Sequence, residues 1–197
     1  MRSEILSHQG CVLRSALYNE VMKSTRDAQR TAVYDAERCM ELTHEELGYV
    51  HGKGWTKPAM TISQCRKLVE KVLADSEVNA EWSYAGNMRI TVEASSGGGG
   101  GKAVYRSGLL SIELGTWARQ PHVVLHEIAH HLAGNGAAHG PDFVSVCLWL
   151  THRFMGNECG EALRSSYVKH GVQYGRREPA KQLRKTQRIT KYGGRPV

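Results

Sequence analysis

The segment from residue 123 to residue 144, VVLHEIAHHLAGNGAAHGPDFV, concentrates side chains that can bind a metal ion. His126 and His130 are four residues apart, so on a helix both project from one face and can reach a single zinc ion. Glu127 follows the first of these histidines, at the position where a carboxylate accepts a proton from a zinc-activated water. The spacing therefore predicts a hydrolytic zinc site rather than a merely structural one.

A catalytic zinc ion needs a third protein ligand and an open coordination position, and the sequence offers several candidates for that ligand. His139 is favoured, because the small residues AGNGAA that precede it can turn the chain back toward the metal. Glu158, within GNECGEA, is the rival, since thermolysin-like sites take a glutamate from a later helix, and Asp142 is a third possibility. A metzincin-type histidine would fall six residues after His130, where the chain has Gly136, so that class is excluded.

The other polar residues around this segment are expected to have accessory roles. His131 points about 100° away from His130 around the helix and is expected to support the site indirectly or to lie at the surface. Neither His122 nor His152 is expected to bind the metal. Three side chains are candidates for the donor that stabilises a tetrahedral oxyanion, and the sequence does not choose among them: Tyr105, Arg106 and Tyr167.

Two amphipathic helices are predicted ahead of the histidine segment. Apolar residues at helical spacing predict a helix over 26–43, with Asp27 suited to its first turn. The capping-box pattern of Thr61 and Gln64 predicts a second helix over 62–74.

The periodicity then changes to that of strands before it returns to helices. Alternation and β-branched residues predict a strand over 88–94, and residues 103–115 predict one or two more. Pro121 and Gly134 suit the beginning and the end of the histidine helix. The run PDFVSVCLWLTHRFM predicts a supporting helix with core residues Phe143, Val146, Cys147 and Leu150.

These elements predict a small α+β domain. The helices over 26–43 and 62–74 are expected to pack on a short twisted sheet, with the histidine helix behind it. The segment GLLSIELG, residues 108–115, is expected to be the strand that borders the cleft. An edge strand there can hold an extended peptide by backbone pairing.

Charge divides the chain into three parts. Residues 175–197 contain eight Lys or Arg and one acid, so they account for the whole formal charge of +7. We therefore predict an N-terminal extension over 1–24, a domain over 25–174 and a basic, solvated tail over 175–197. Such a tail either keeps the protein soluble or binds polyanions such as nucleic acid, in which case binding weakens steeply with salt.

The pattern HEIAHHLAGNGAAHGPDF resembles that of SprT-like zincins, in which the helix motif is followed by a variable spacer and His-Gly-x-x-Phe or Trp. Together with TRDAQRTAVYDAE, residues 25–37, it is similar to a family of metallohydrolases from actinobacteria and their phages, over about residues 25–170. The resemblance implies a small zincin-like (minigluzincin) fold and catalysis by Glu127 on a peptide or protein substrate. It also implies one zinc ion bound by three ligands: His126, His130 and His139.

Two features depart from this family pattern. Longer SprT-like proteins carry a C-terminal cysteine zinc ribbon, whereas this chain has a basic tail in that place. Residues 1–21 precede the family-like start, which makes Met22 an alternative to Met1 as the initiation site.

The sequence also bears on location. No apolar run reaches the length of a membrane span, and the N-terminus lacks the features of a signal peptide. The five cysteines are scattered and form no C-x-x-C pair, which argues against both a zinc ribbon and a disulfide framework. We therefore expect a cytoplasmic protein, in the host cytoplasm if a phage encodes it.

Three functional hypotheses follow from these observations. The leading one is a zinc-dependent metallopeptidase or related metallohydrolase. The second is a protease that its basic tail tethers near nucleic acid. The third is a non-catalytic module that zinc stabilises, such as a phage structural or interaction protein.

Overall fold

Six helices and five strands make up the part of the chain that the structure describes. It is a computed structural model, and it describes residues 27–43, 49–50, 54–55, 59–84, 88–95, 103–134 and 137–175. The elements in chain order are α1 (Arg30–Thr43), β1 (Tyr49–Val50), β2 (Gly54–Trp55), α2 (Ile62–Leu73), α3 (Ser76–Glu81), β3 (Thr91–Ala94), β4 (Ala103–Arg106), β5 (Ser111–Leu114), a 3-10 turn (Thr116–Ala118), α4 (Pro121–Ala133), α5 (Pro141–Met155) and α6 (Asn157–Lys169). The expected α+β class is confirmed.

The main sheet has three strands in the order β3–β5–β4, and β1 pairs with β2 in a separate antiparallel ribbon. β3 runs parallel to β5, with Val92 opposite Ile112, and β4 runs antiparallel to β5, with Tyr105 opposite Ile112. The prediction that residues 108–115 form the edge strand at the cleft is wrong. The turn after Arg106 folds β5 back between the other two strands, so β4 is an edge strand and β5 is central.

Helix α2 begins where its capping box predicts. The Thr61 hydroxyl accepts the backbone N–H of Gln64 at 3.2 Å, and the Gln64 side chain accepts the backbone N–H of Thr61 at 2.8 Å. Its buried face, which includes Cys65, Val69 and Val72, packs on β3 and α4. These contacts place α2 against both the sheet and the histidine helix.

Helix α1 departs from the prediction in its start and in its packing. It begins at Arg30, because Asp27 lies in a preceding turn whose carbonyl accepts the Arg30 N–H at 3.1 Å. The prediction that Asp27 serves the first helical turn is wrong, since its carboxylate accepts hydrogen bonds from His139. The buried face of α1 packs mainly along α6 rather than on the main sheet, so its predicted position is also wrong.

Helices α4 and α5 form the centre of the domain. Pro121 occupies the first turn of α4, and Gly134 follows the last turn with φ of 81°, a conformation that favours glycine. α5 packs against both α4 and α6. Because α4 is covered on several sides, most of its polar side chains are buried together with its apolar ones, and His130 is partly buried.

Some predictions lie outside the described residues. These are the extension over 1–24 and the basic tail beyond Gly175. Within the described ranges, no helix combines the length and the apolar character that a bilayer crossing requires.

Candidate metal centre

Three histidines converge at one point of the structure. A ring nitrogen of His126, of His130 and of His139 all lie within 4.8 Å of one another. The first two project from one face of α4, as their spacing predicts, and the third comes from the loop between α4 and α5. The two rival third ligands, Glu158 and Asp142, are exposed and belong to no such group among the described residues.

A tight turn returns the chain to bring His139 into this group. The Gly140 N–H donates to the Ala137 carbonyl at 2.7 Å. A Cβ atom at Gly140 would lie 2.8 Å from that carbonyl oxygen, so the turn leaves no room for a side chain there. The Gln29 side chain also donates to the His139 carbonyl at 2.9 Å. Ala137, one of the small residues before His139, thus closes the turn with Gly140, and Gln29, just before α1, holds the turn from outside.

The ring nitrogens of these histidines differ in whether they have hydrogen-bond partners. The Nε2 atoms of His126 and His139 are buried and have no hydrogen-bond partner within the described residues. Leaving such atoms unpaired is costly, and buried polar groups in proteins are normally satisfied. Imidazole nitrogen is a common ligand of zinc and of several other transition metals. The three side chains therefore fit a bound metal ion.

A carboxylate from α1 orients His126. The Nδ1 atom of this histidine lies 2.9 Å from Oε1 of Glu37 and 3.0 Å from Oε2. Burial acts to raise the pKa of Glu37, but the charge and the hydrogen bond of His126 outweigh it and lower that pKa. The carboxylate is therefore ionised and can only accept, so Nδ1 carries the proton and Nε2 faces the other two histidines.

The second carboxylate does the same for His139. Its Nδ1 atom lies 2.8 Å from Oδ1 of Asp27, which also accepts the backbone N–H of His139 at 3.2 Å. Burial lowers the pKa of His139, and it lowers the pKa of His130 to about 2, with the charge of His126 adding in both cases. Neutral His130 and His139 therefore have a lone pair to offer, as a metal ligand requires. Burial acts to lower the pKa of His126, but the charge of Glu37 outweighs it and raises that pKa well above its ordinary value, so Nε2 of His126 must lose its proton before it can bind a metal ion.

Two aromatic rings enclose the histidines. Phe143 stacks on His130 with ring centroids 4.3 Å apart, and it also contacts His126 and His139 edge-on. Tyr34 of α1 stacks on His126, with centroids 5.5 Å apart and ring planes at 17°. Phe143 is a core residue as predicted, but it also restricts the orientation of all three imidazoles.

The buried group behind His126 is a second set of potential ligands. Glu37, Cys147 and His126 have ligand atoms within 4.8 Å of one another. Within this set, however, Nδ1 already bonds Glu37, and the Tyr167 hydroxyl donates to the same carboxylate at 3.2 Å. Burial raises the pKa of the Cys147 thiol, which disfavours the thiolate that metals bind. We interpret this set as the support of His126.

Glu127 lies beside the three histidines on a cleft of about 340 Å³. Its side chain is buried, and its carboxylate accepts the backbone N–H of Tyr105 in the edge strand β4. Burial raises the pKa of Glu127, although the charge of His126 and this hydrogen bond oppose the change. The cleft is lined by residues of α1, β4, α4 and the following loop, among them Arg30, Tyr34, Tyr105, Glu127, His130 and His139.

The three oxyanion-donor candidates have polar atoms engaged elsewhere. The Tyr105 hydroxyl lies 2.7 Å from Nδ1 of His131, although Tyr105 does line the cleft. Arg106 forms a two-pronged ion pair with Glu113 at 2.6 and 2.9 Å. The Tyr167 hydroxyl is bonded to Glu37 behind the histidines.

The remaining histidines of the segment are outside the converging group. His131 is buried rather than at the surface, and its ring packs between Tyr84 and Tyr105. His122 and His152 are also buried, and neither joins a potential metal group within the described residues.

Several contributors from α1 and the turn before it were not predicted: Asp27 as a histidine partner, Arg30, Tyr34 and Glu37. Positions 30, 34 and 37 have the i, i+4, i+7 spacing of one helical face. Polar and aromatic residues at that spacing were the available sequence signal that this face of α1 contributes to a site. They match no known metal-ligand motif, so the signal did not point to the histidines. The chain matches no protein-family model, and no curated protein or solved structure is significantly similar to it.

Proposed function

We propose that the protein is a zinc metallopeptidase with a small zincin-like fold. In this proposal His126, His130 and His139 bind one zinc ion, and Glu127 is the general base. The observation that carries it is the convergence of three imidazoles beside a buried carboxylate on an open cleft. A purely structural zinc site normally has four protein ligands, whereas a hydrolytic site has three and an open position.

A bound zinc ion would supply an activated water and would polarise the substrate carbonyl. Glu127 would take a proton from the attacking water and then pass it to the leaving amine. The Tyr105 N–H holds the Glu127 carboxylate in place. Glu37 and Asp27 hold His126 and His139 with Nε2 toward the ion, and such partners raise the basicity of the imidazoles.

The edge strand supports an extended peptide as the substrate. Among the described strands β4 pairs with β5 alone, and its residues Ala103, Val104 and Tyr105 line the cleft. A peptide can add to such an edge through backbone hydrogen bonds, which places a scissile bond beside the side chains of α4. The three-imidazole ligand set favours zinc over Mg²⁺ or Ca²⁺, which prefer oxygen ligands.

Substitution of Glu127 tests this function. Glu127→Gln keeps the shape of the side chain but cannot accept the proton. We expect zinc content to be unchanged and hydrolysis of an unfolded test protein to fall by about 10²- to 10⁴-fold. Glu70→Gln, at an exposed position of α2, is the matched control and should keep full activity. Equal hydrolysis by the wild type and Glu127→Gln would contradict the proposal.

A non-catalytic zinc-stabilised module is the second candidate. The histidine group joins α4, the following loop, helix α1 through Glu37 and the turn before α1 through Asp27. Zinc would therefore stabilise the domain in either case, by an amount that grows with its free concentration relative to Kd. The two candidates differ at Glu127, since only an enzyme loses its biological activity in Glu127→Gln while keeping zinc and thermal stability.

The basic tail adds a proposal about partners. If residues 175–197 tether the catalytic domain to nucleic acid, their deletion should abolish a salt-sensitive interaction with DNA. Peptide hydrolysis by the shortened chain should remain. DNA binding that is unchanged by the deletion would contradict the tether.

A further inference from the structure

One wall of the cleft is built by the first turns of α1. Arg30 and Tyr34 are one helical turn apart, project from the same face and both line the cleft, as do Glu127 and His130. Arg30 is exposed, and Tyr34 is 37% exposed. Neither side chain is needed to fill the core, so their place beside the histidines calls for another explanation.

Tyr34 connects Arg30 with the histidine group. Its ring stacks on His126, and its centroid lies 5.0 Å from that of His139. The guanidinium carbon of Arg30 lies 5.5 Å from the centroid of the same ring. This cation–π contact restrains a long, flexible side chain at the wall of the cleft. In agreement, the charge of Arg30 contributes to the lowered pKa of His130.

The charges that line the cleft make Arg30 distinctive. Among the described lining residues it is the one arginine, and there is no lysine. The two lining carboxylates have partners: Asp27 accepts from His139, and Glu127 accepts the Tyr105 N–H. The guanidinium stacks on a ring and keeps planar N–H donors suited to an oxygen anion.

We infer that Arg30 is a catalytic residue of the proposed reaction and that Tyr34 is its positioning residue. Arg30 donates hydrogen bonds to the substrate carbonyl oxygen, which becomes negatively charged when water adds. When water adds, a C–O bond forms, the carbonyl π electrons move to that oxygen, and Glu127 takes the water proton. When the adduct collapses, the electrons return, the C–N bond breaks and the amine takes the proton from Glu127. Arg30 stays protonated throughout.

This inference rests on the proposed function, so its test begins with binding rather than with turnover. The probe is inorganic phosphate, a tetrahedral oxyanion, titrated calorimetrically into the zinc-loaded full chain. Arg30→Gln should weaken phosphate binding by about 10-fold or more, because hydrogen bonds to charged groups are the strong ones. Arg38→Gln is the matched control on the same helix, since Arg38 is exposed and pairs with Asp35. It should bind phosphate within about twofold of the wild type.

Further variants separate position from fold. Arg30→Lys should recover only part of the affinity, because an ammonium lacks the planar pair of donors. Tyr34→Ala should weaken phosphate binding, and Tyr34→Phe should restore it, since the stacked ring is what places Arg30. Equal losses in Tyr34→Phe and Tyr34→Ala would overturn the positioning role. If Arg30→Gln weakened zinc binding as much as phosphate binding, Arg30 would act by supporting the structure of the site. That result would overturn its assignment as a catalytic residue.

Kinetics then distinguish the inference from the function on which it rests. With a peptide substrate, Arg30→Gln should lower kcat more than it changes KM. Unchanged phosphate affinity and unchanged kcat in an active peptidase would overturn the role of Arg30 and leave the proposed function intact. Phosphate binding that depends on Arg30, in a protein that hydrolyses no peptide, would support the anion site and overturn the peptidase function.

Discussion

The carboxylate of Glu37 should control metal affinity although it is not one of the three proposed metal ligands. Glu37→Gln keeps the size of the side chain but removes the charge that His126 Nδ1 meets at 2.9 and 3.0 Å. Loss of such a partner typically weakens metal binding by about 10- to 100-fold, or about 1.4–2.7 kcal/mol. The Glu37 side chain is only 12% exposed, so water screens little of this interaction and we expect the upper part of that range.

The assay is competition for zinc with a chelator of known affinity, at pH 7 and fixed ionic strength. Asp27→Asn makes the equivalent change at His139, but its side chain is 34% exposed, so its effect should be smaller than that of Glu37→Gln. Asp35→Asn is the control for charge, since Asp35 lies on the same helix and pairs with the exposed Arg38. A zinc affinity of Glu37→Gln within twofold of both the wild type and Asp35→Asn would refute the reasoning.

Three further predictions concern the scaffold. Tyr105→Phe removes the 2.7 Å hydrogen bond to buried His131 and should lower the free energy of unfolding by about 1–3 kcal/mol, measured by urea denaturation. A loss no larger than that of Tyr34→Phe, at a tyrosine that is 37% exposed, would contradict this. Asp75 caps α3 and pairs with Arg153 at 2.9 Å. Burial acts to raise the pKa of Asp75, but the hydrogen bonds from Arg153 and from two backbone N–H groups outweigh it and lower that pKa. The stabilisation by Asp75 is therefore present above the unfolded pKa of about 3.9 and is lost as the pH falls through the folded pKa. Asp75→Asn should therefore cost about 1–2 kcal/mol at pH 7 and flatten the acid limb of a stability–pH curve, and an unchanged acid limb would contradict the assignment. Gly160→Ala places a methyl group against the His152 ring and should lower the free energy of unfolding by about 1–3 kcal/mol, measured by thermal unfolding. The control Gly108→Ala, whose methyl group meets open space, should be close to neutral. Equal effects of the two substitutions would contradict the close approach of α5 and α6 at Gly160.

Local signals in the sequence predicted the local structure. The capping box at Thr61 and the proline and glycine around the histidine helix set the ends of α2 and α4, since caps act within one turn. The convergence of His126, His130 and His139 was also predictable. Two of them share a helical face, and the turn AGNGAA, made mainly of small residues, precedes the third.

Contacts between distant segments were not predictable in the same way. The Glu37–His126 pair spans 89 residues and the Asp27–His139 pair spans 112, and neither has a local pattern. Periodicity reports which face of α1 is buried but not which element covers it, so its packing on α6 was missed. Strand order depends on how the turn after β4 folds, and the hydrophobic pattern of β5 is compatible with a central or an edge strand.

X-ray absorption at the zinc edge, on the zinc-loaded full chain, tests the central claim most directly. The account predicts one zinc ion with three histidine nitrogens at about 2.0–2.1 Å, a light atom in the remaining position and no sulfur. His139→Ala should remove one imidazole from the spectrum. A sulfur ligand near 2.3 Å, which would indicate Cys147, or an unchanged spectrum in His139→Ala would contradict the site.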